Sequence, residues 1–231
     1  MSNATDWISA GANIVMAVTA FMAYRVGRNY LLNLTNNDAY KLAFEIKDEL
    51  LPNLKKAVRF IYRYNSIERL LNELLNDKKI NTRKIKTIFN RSLAIRGSYL
   101  NIKKQEKSVK LSLRKLDGYG WGSIGKKEVF LEEITNASSL LEATCDKFDD
   151  EIDSFVSAVF GVESIEGDIE FDISKATLDE NYSLDTRHIN KLLDLITKIR
   201  SSRDSLDHSY EKYMANDNYI GLFFKRQKGH I

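Results

Sequence analysis

The stretch Gly118–Lys127 reads GYGWGSIGKK and is the most chemically suggestive in the 231-residue chain. Gly120, Gly125 and Lys126 stand at the spacing of a loop that cradles phosphate oxygens with backbone N–H groups and a lysine. That chemistry needs more: a buried parallel strand feeding the loop, a hydroxyl after the lysine to hold magnesium, and a later apolar strand ending in a metal-binding aspartate. Lys127 stands where the hydroxyl is required, and the residues before the loop keep a helical rhythm. VKLSL, from Val109 to Leu113, alternates like a strand only when read in isolation. A glycine-rich turn between two helices is the expected reading.

The run DDEID, Asp149 to Asp153, matches the acid pattern with which all-helical synthases hold magnesium diphosphate. Asp149, Asp150 and Asp153 share a helical face, extended by Asp146. No second acidic motif answers them across a cavity, so the acids read as a solvated face opposite Phe148, Ile152 and Phe155. His188, His208 and His230 have no ligand spacing. Cys145, the single cysteine, falls on an apolar seam and reads as a small buried residue; it also fits a reducing compartment. Glu106 interrupts another seam, where a polar residue more often fixes register than performs chemistry. No nucleophile, base and orienter set emerges. No catalytic residue, metal or cofactor is expected.

The elements that would position these groups are long helices. One proline, Pro52, and eleven glycines leave few turn signals. Ile85, Ile88, Ser92, Ile95, Tyr99, Ile102, Glu106, Val109, Leu113 and Leu116 alternate steps of three and four. A second seam runs Ile134, Ala137, Leu141, Cys145, Phe148, Ile152, Phe155, Val159. A third runs Ile189, Leu193, Ile196, Ile199, Arg203, Leu206, Tyr210, Tyr213. Upstream, Leu50, Leu54, Ala57, Ile61, Leu71 and Leu75 mark a helix over about 38–76 that Pro52 bends or divides. Asp185 or Thr186 caps the last helix. Residues 161–184 read as an irregular acidic arm, with Ile169, Phe171 and Ile173 alternating.

Trp7–Tyr24 reads WISAGANIVMAVTAFMAY, 18 residues without a charge, or roughly 27 Å of helix at about 1.5 Å per residue. Trp7 at one end, Tyr24 and Tyr30 at the other, and then Arg25 and Arg28, fit a span whose basic end is cytoplasmic. No basic n-region precedes the run, so an uncleaved anchor with its N-terminus outside is expected. Ser9, Asn13, Ala17, Ala20 and Tyr24 share one face, the small-residue-plus-amide stripe through which such helices self-associate. The opening DWISAGANIVMA resembles the anchors of small uncharacterised bacterial single-pass inner-membrane proteins. That resemblance implies a bacterial inner-membrane location and, since some such proteins look like components of mobile defence islands, an accessory or effector role in phage defence.

The expected fold is therefore all-α: an N-terminal transmembrane helix followed by an elongated antiparallel bundle of about four long helices. Residues 1–32 form the anchor, 33–218 the cytoplasmic bundle and 219–231 an aromatic and basic tail.

Charge is segregated. Between Lys78 and Leu116, thirteen Lys or Arg accompany one acid; between Glu128 and Asp185, seventeen Asp or Glu accompany two lysines. A basic face of Lys103, Lys104, Lys107 and Lys110 is expected to pair with the acidic helix that follows, and nucleic acid is an unlikely partner because stacking aromatics are missing. Up-and-down packing puts 118–127 and the C-terminus on the membrane side. Tyr119, Trp121, Lys126 and Lys127, with Phe223, Phe224, Lys225 and Arg226, are then expected to meet anionic lipid. The function this implies is a non-enzymatic sensor, scaffold or membrane-perturbing effector working through membrane and protein partners. The alternatives are an enzyme using the 118–127 loop or the Asp149–Asp153 face on a phosphorylated ligand, and a nucleic-acid binder using 78–116.

Overall fold

The computed structural model describes residues 4–77, 80–161, 173–178, 185–215 and 220–227, with the side chains of 4–6 and 8–10 outside that description. Among the described residues the chain is all-α with one small two-stranded sheet. Helix α1 spans Ala4–Glu45, α2 Leu51–Ala57, α3 Tyr64–Asp77, α4 Thr82–Gly118, α5 Lys126–Phe160 and α6 Thr186–Met214. Strands β1, Trp121–Ser123, and β2, Phe224–Arg226, pair antiparallel.

The first three helices form one interrupted rod. Pro52 offers no N–H to the Asp48 carbonyl and its ring crowds that oxygen. The ladder accordingly widens into a π turn at Ile46–Leu50 just before it, and a 3₁₀ stretch at Val58–Arg63 completes the adjustment. The helix that the sequence places over 38–76 is thus divided near Pro52, as expected. It also continues N-terminally without a break into the uncharged run, because nothing between Tyr24 and Asp38 stops a helix.

The bundle is closed by antiparallel neighbours, each contact marked by polar pairs whose numbers run in opposite directions. Rod meets α4 at Arg91–Ser66 and Arg63–Ser98. Helix α4 meets α5 at Arg96–Asp149 and Lys103–Glu142. Helix α5 meets α6 at Glu151–His188 and Glu133–Ser209, and α6 returns to the rod at Arg200–Glu68 and Lys55–Glu211. The first seam faces inward at every position but Leu113, which is half-buried, and the second is buried throughout. Each such large side chain contributes about 1.5–3 kcal/mol by leaving water. The third seam is shallower, with Leu193, Arg203 and Tyr210 half-buried while Leu192 and Leu195 share the core.

Helix ends follow local chemistry. Asn81 accepts from Lys84 N at 3.1 Å and caps α4. Asp185 accepts from Arg187 N at 2.9 Å and caps α6 where the sequence placed that start. Gly161 ends α5 in the left-handed conformation, with φ of 63°. Of the acidic arm, Ile169 and Phe171 lie outside the described residues, while Ile173 is a core residue.

Candidate functional site

Helix α1 differs from the other described helices in that only its C-terminal end, at Ala39 and Ala43, enters the core. Its first residue buried in the bundle is Ala39, and the part N-terminal to Tyr24, where the groove with the collar begins, projects past the rest of the molecule. Along this part and just after it Ile14, Val15, Met16, Phe21, Met22 and Val26 are all exposed, at between 61 and 68%. Apolar side chains occur on several of its faces rather than along one stripe. Among the described residues no helix is long and apolar enough to cross a membrane; the side chains of Ile8, Ser9 and Ala10, which open the uncharged run, fall outside that description. Trp7, Asn13, Ala17, Ala20, Tyr24, Arg25 and Arg28 all lie on this projecting helix and are exposed.

The base of the projection is held by a collar. Gly120, at φ of 73°, lets the chain reverse out of α4: its N–H donates to the Asp117 carbonyl at 2.7 Å, and its carbonyl accepts from Gln227 N at 2.7 Å. Strand β1 then pairs with β2 in the register Trp121–Arg226, Gly122–Lys225, Ser123–Phe224. Ile124 N donates to the Phe223 carbonyl, and Trp121 Nε1 reaches Asn36 Oδ1 of α1 at 3.5 Å. Between collar and helix lies an open groove of about 820 Å³. Tyr24, Gly27, Arg28 and Leu31 line it from α1; Tyr119 and Arg226 line it from the collar. The glycine-rich turn and the C-terminal segment therefore sit against the residues that end the uncharged run.

Several expected site residues do other work. Phe223 and Phe224, expected at a membrane surface, are at most 1% exposed and belong to the bundle core. The reason is β2, which turns the tail back onto the bundle: the Phe223 ring meets that of Tyr213 near the end of α6, and Phe224 lies in a cleft with Leu116 of α4 and Leu131 of α5. Lys127 likewise turns inward: its ammonium donates to the carbonyls of Tyr213 and Ala215, closing the C-terminal end of α6. Tyr119, Lys126 and Lys225 remain exposed, and Trp121 and Arg226 are half-buried.

The basic face is split. Lys103 pairs with Glu142 at 3.1 Å; Lys110 donates to Ser139 Oγ at 2.8 Å and pairs with Glu106. Lys104 and Lys107 point outward. The expected pairing of basic and acidic helices is present across α4 and α5 at Arg96–Asp149, Arg96–Asp153 and Lys103–Glu142.

The chemical lookalikes resolve the same way. A short strand does precede Lys126, but it is antiparallel, three residues long and half-exposed, which is not the buried parallel strand a phosphate loop requires. Asp149 is a buried residue rather than part of a solvated face: Arg96 bridges it at 3.2 Å and Asp153 at 3.0 Å. Burial pushes the Asp149 carboxyl up to about 6 against the pull of Arg96, with Asp153 and Asp146 adding to the rise. Asp146 accepts from the Tyr99 hydroxyl.

Glu106 and Glu142 influence each other's titration in opposite directions. Burial opposes the Glu106 charge, but its carboxyl stays below the ordinary value with Lys110 and Ser139 engaging one of its oxygens, while the neighbouring Glu142 carboxyl is raised by the proximity of Glu106 and by burial. His188 Nδ1 lies 2.7 Å from Glu151 Oε1, which also meets Lys191 through its other oxygen. Among the described residues no group of three or more His, Cys, Asp or Glu is placed to hold a metal ion.

Sequence reasoning missed the groove itself and the parts of it contributed by Gly27, Leu31 and Thr35. Gly27 was the available signal: a glycine inside a long exposed helix costs about 1 kcal/mol relative to alanine and calls for a reason. Comparison with protein-family models, with curated proteins and with solved structures gives no match.

Proposed function

We propose that the protein is a single-pass, membrane-anchored helical bundle that works through contacts with the membrane and with protein partners and carries out no reaction of its own. The anchor is the projecting part of α1, its N-terminus outside and the bundle on the cytoplasmic side. The observation that carries this reading is the exposed apolar helix: an uncharged run of 18 residues whose described side chains are all exposed and bear large apolar groups on several faces. In water that surface would drive aggregation; in lipid each backbone group is already satisfied within the helix. Tyr24 and Tyr30 with Arg25 and Arg28 at the bundle end supply an interfacial aromatic and positive-inside signature.

Against an enzymatic role stand the partners of the candidate acids and bases, which are engaged in holding helices together. A role in phage defence stays tied to the resemblance of the first 25 residues. Reconstitution tests the reading. The full chain, floated with phospholipid vesicles, is expected to remain with them through alkaline carbonate and high salt. Release by salt alone would overturn the anchor.

A further inference from the structure

We propose that α1 carries a homodimerisation seam from Met16 to Phe44, along which a second copy of this chain lies parallel through the same helix. This rests on the membrane-anchored reading, which sets the relative orientation of the two copies, and adds the partner to it.

The apolar surface of α1 does not stop where lipid would. Phe44 follows Tyr24, the last residue of the uncharged run, by twenty residues, or roughly 30 Å of helix at about 1.5 Å per residue. Headgroups extend only about 5–8 Å beyond the hydrocarbon. Over that length Tyr30, Leu34 and Phe44 are exposed at 66, 46 and 50%. They avoid the bundle for a geometric reason: at about 100° per residue they stand roughly 140–180° around the helix from the buried Ala39. Lipid does not reach the far end of this face, and no described part of the chain covers it.

The spacing is that of a parallel two-stranded coiled coil. From Met16, steps of four and three reach Tyr30, Leu34 and Phe44 over four heptads, and every position on the way is exposed. Between Met16 and Tyr30 the steps fall on Ala20, Ala23 and Gly27, small residues that let helix backbones approach closely. A Cβ at Gly27, on the rim of the groove, would meet nothing within 4 Å, so packing within the chain does not require that glycine. Between Leu34 and Phe44 the steps fall on Asn37 and Lys41.

Two features select a second copy as the occupant. Copies anchored through one helix in one orientation are parallel and share their depth, so each seam residue meets its own counterpart across a two-fold axis. The polar positions suit that arrangement, because an Asn or Lys within an apolar seam fixes register and oligomer state. Lys41 stands about one turn from Asp38 and from Glu45, all three exposed, and pairs with neither. The patch therefore carries both signs and complements its own copy. The stripe of Asn13, Ala17, Ala20 and Tyr24 follows a different face. Its next steps, Arg28 and Leu31, line the groove opposite Tyr119, so a helix laid along it would meet the collar.

The test uses the full chain in a Cys145→Ser background, reconstituted in phosphatidylcholine vesicles at two lipid-to-protein ratios and treated with a mild oxidant. Leu34→Cys and Phe44→Cys are expected to give disulfide-linked dimers to the same extent at both ratios. Asn29→Cys, exposed and about 140° around the helix from Leu34, is expected to give none. In detergent, wild type is expected to sediment as a dimer and Leu34→Ala to dissociate at least about tenfold more readily, since a leucine leaves the interface from each copy. Leu34 lies on the face away from the core, and protection of Cys145 from alkylation in Leu34→Ala checks that the bundle is intact. Equal cross-linking of Asn29→Cys, dimers that disappear on dilution in lipid, or a wild-type monomer would overturn the seam while leaving the anchor standing. Dimers of the expected pattern from a chain that alkaline carbonate strips from the vesicles would overturn the anchored reading and keep the seam.

Discussion

The ammonium of Lys127 lies 4.5 Å from the centre of the Phe223 ring, and the ammonium of Lys47 lies 5.0 Å from the same ring. A phenylalanine near the end of the chain is thus held between cations from α5 and from the turn after α1. Read as sequence, a basic pair after a glycine-rich turn and an aromatic pair in a basic tail both suit a headgroup layer. Folded, they suit each other, and the result ties the C-terminal segment to the end of the bundle from which α1 projects.

That contact has a measurable coupling. Phe223→Leu keeps apolar volume but removes the ring face, and Lys127→Met keeps the stem but removes the charge. A double-mutant cycle by urea unfolding is expected to give a coupling of about 0.5–2 kcal/mol. Phe223→Ala is expected to cost about 3–5 kcal/mol through the cavity it leaves. Vesicle binding of Phe223→Leu should match wild type; a loss of lipid affinity with unchanged stability would restore the surface role.

Gly120 and Gly118, two residues apart, make a second comparison. Gly120 is buried at φ of 73°, where a Cβ costs roughly 1–2 kcal/mol, so Gly120→Ala is expected to lower stability by about that amount and to loosen the collar. Gly118→Ala, at the end of α4 with open space around a Cβ, is expected to change stability by less than about 0.5 kcal/mol. Chemical denaturation of both variants separates backbone conformation from steric fit.

Asp149 supplies a pH dependence with a defined sign. Burial is the largest influence on its carboxyl and raises it to about 6; the folded state therefore holds this proton more tightly than the unfolded chain. The associated stabilisation is fully present below about pH 4 and is lost as pH rises through about 6. Asp149→Asn, which imitates the neutral form, removes this dependence. The stability of wild type minus that of the variant should accordingly fall by on the order of 2 kcal/mol from pH 4 to pH 7. A difference that stays constant, or rises with pH, would contradict the assignment.

The helices were legible because their burial is periodic. Ile85 through Leu116 repeat every three or four residues, and the pattern is visible within any two turns. Pro52 and Asp185 marked a break and a start for equally local reasons. The collar was not legible, since Trp121 and Arg226 are strand partners more than a hundred residues apart and each strand is too short to show alternation. Asp149 was misread for a related reason: its own helix face places it among acids, and only the arrival of Arg96 from α4 accounts for its burial. Long-range pairing decided each of the residues whose role changed.

Cys145 makes the central claim accessible to a clean test. It is fully buried, and burial pushes its thiol up to about 12 against the hydrogen bond from Tyr64, so native alkylation should be negligible and should appear on unfolding. In a Cys145→Ser background, Ser2→Cys and Ser201→Cys place single thiols on either side of the proposed membrane. In spheroplasts treated with a membrane-impermeant maleimide, Ser2→Cys is expected to react in intact cells and Ser201→Cys only after lysis. Labelling of both positions only after lysis, or recovery of the chain outside the membrane fraction, would contradict an anchored protein with its N-terminus outside.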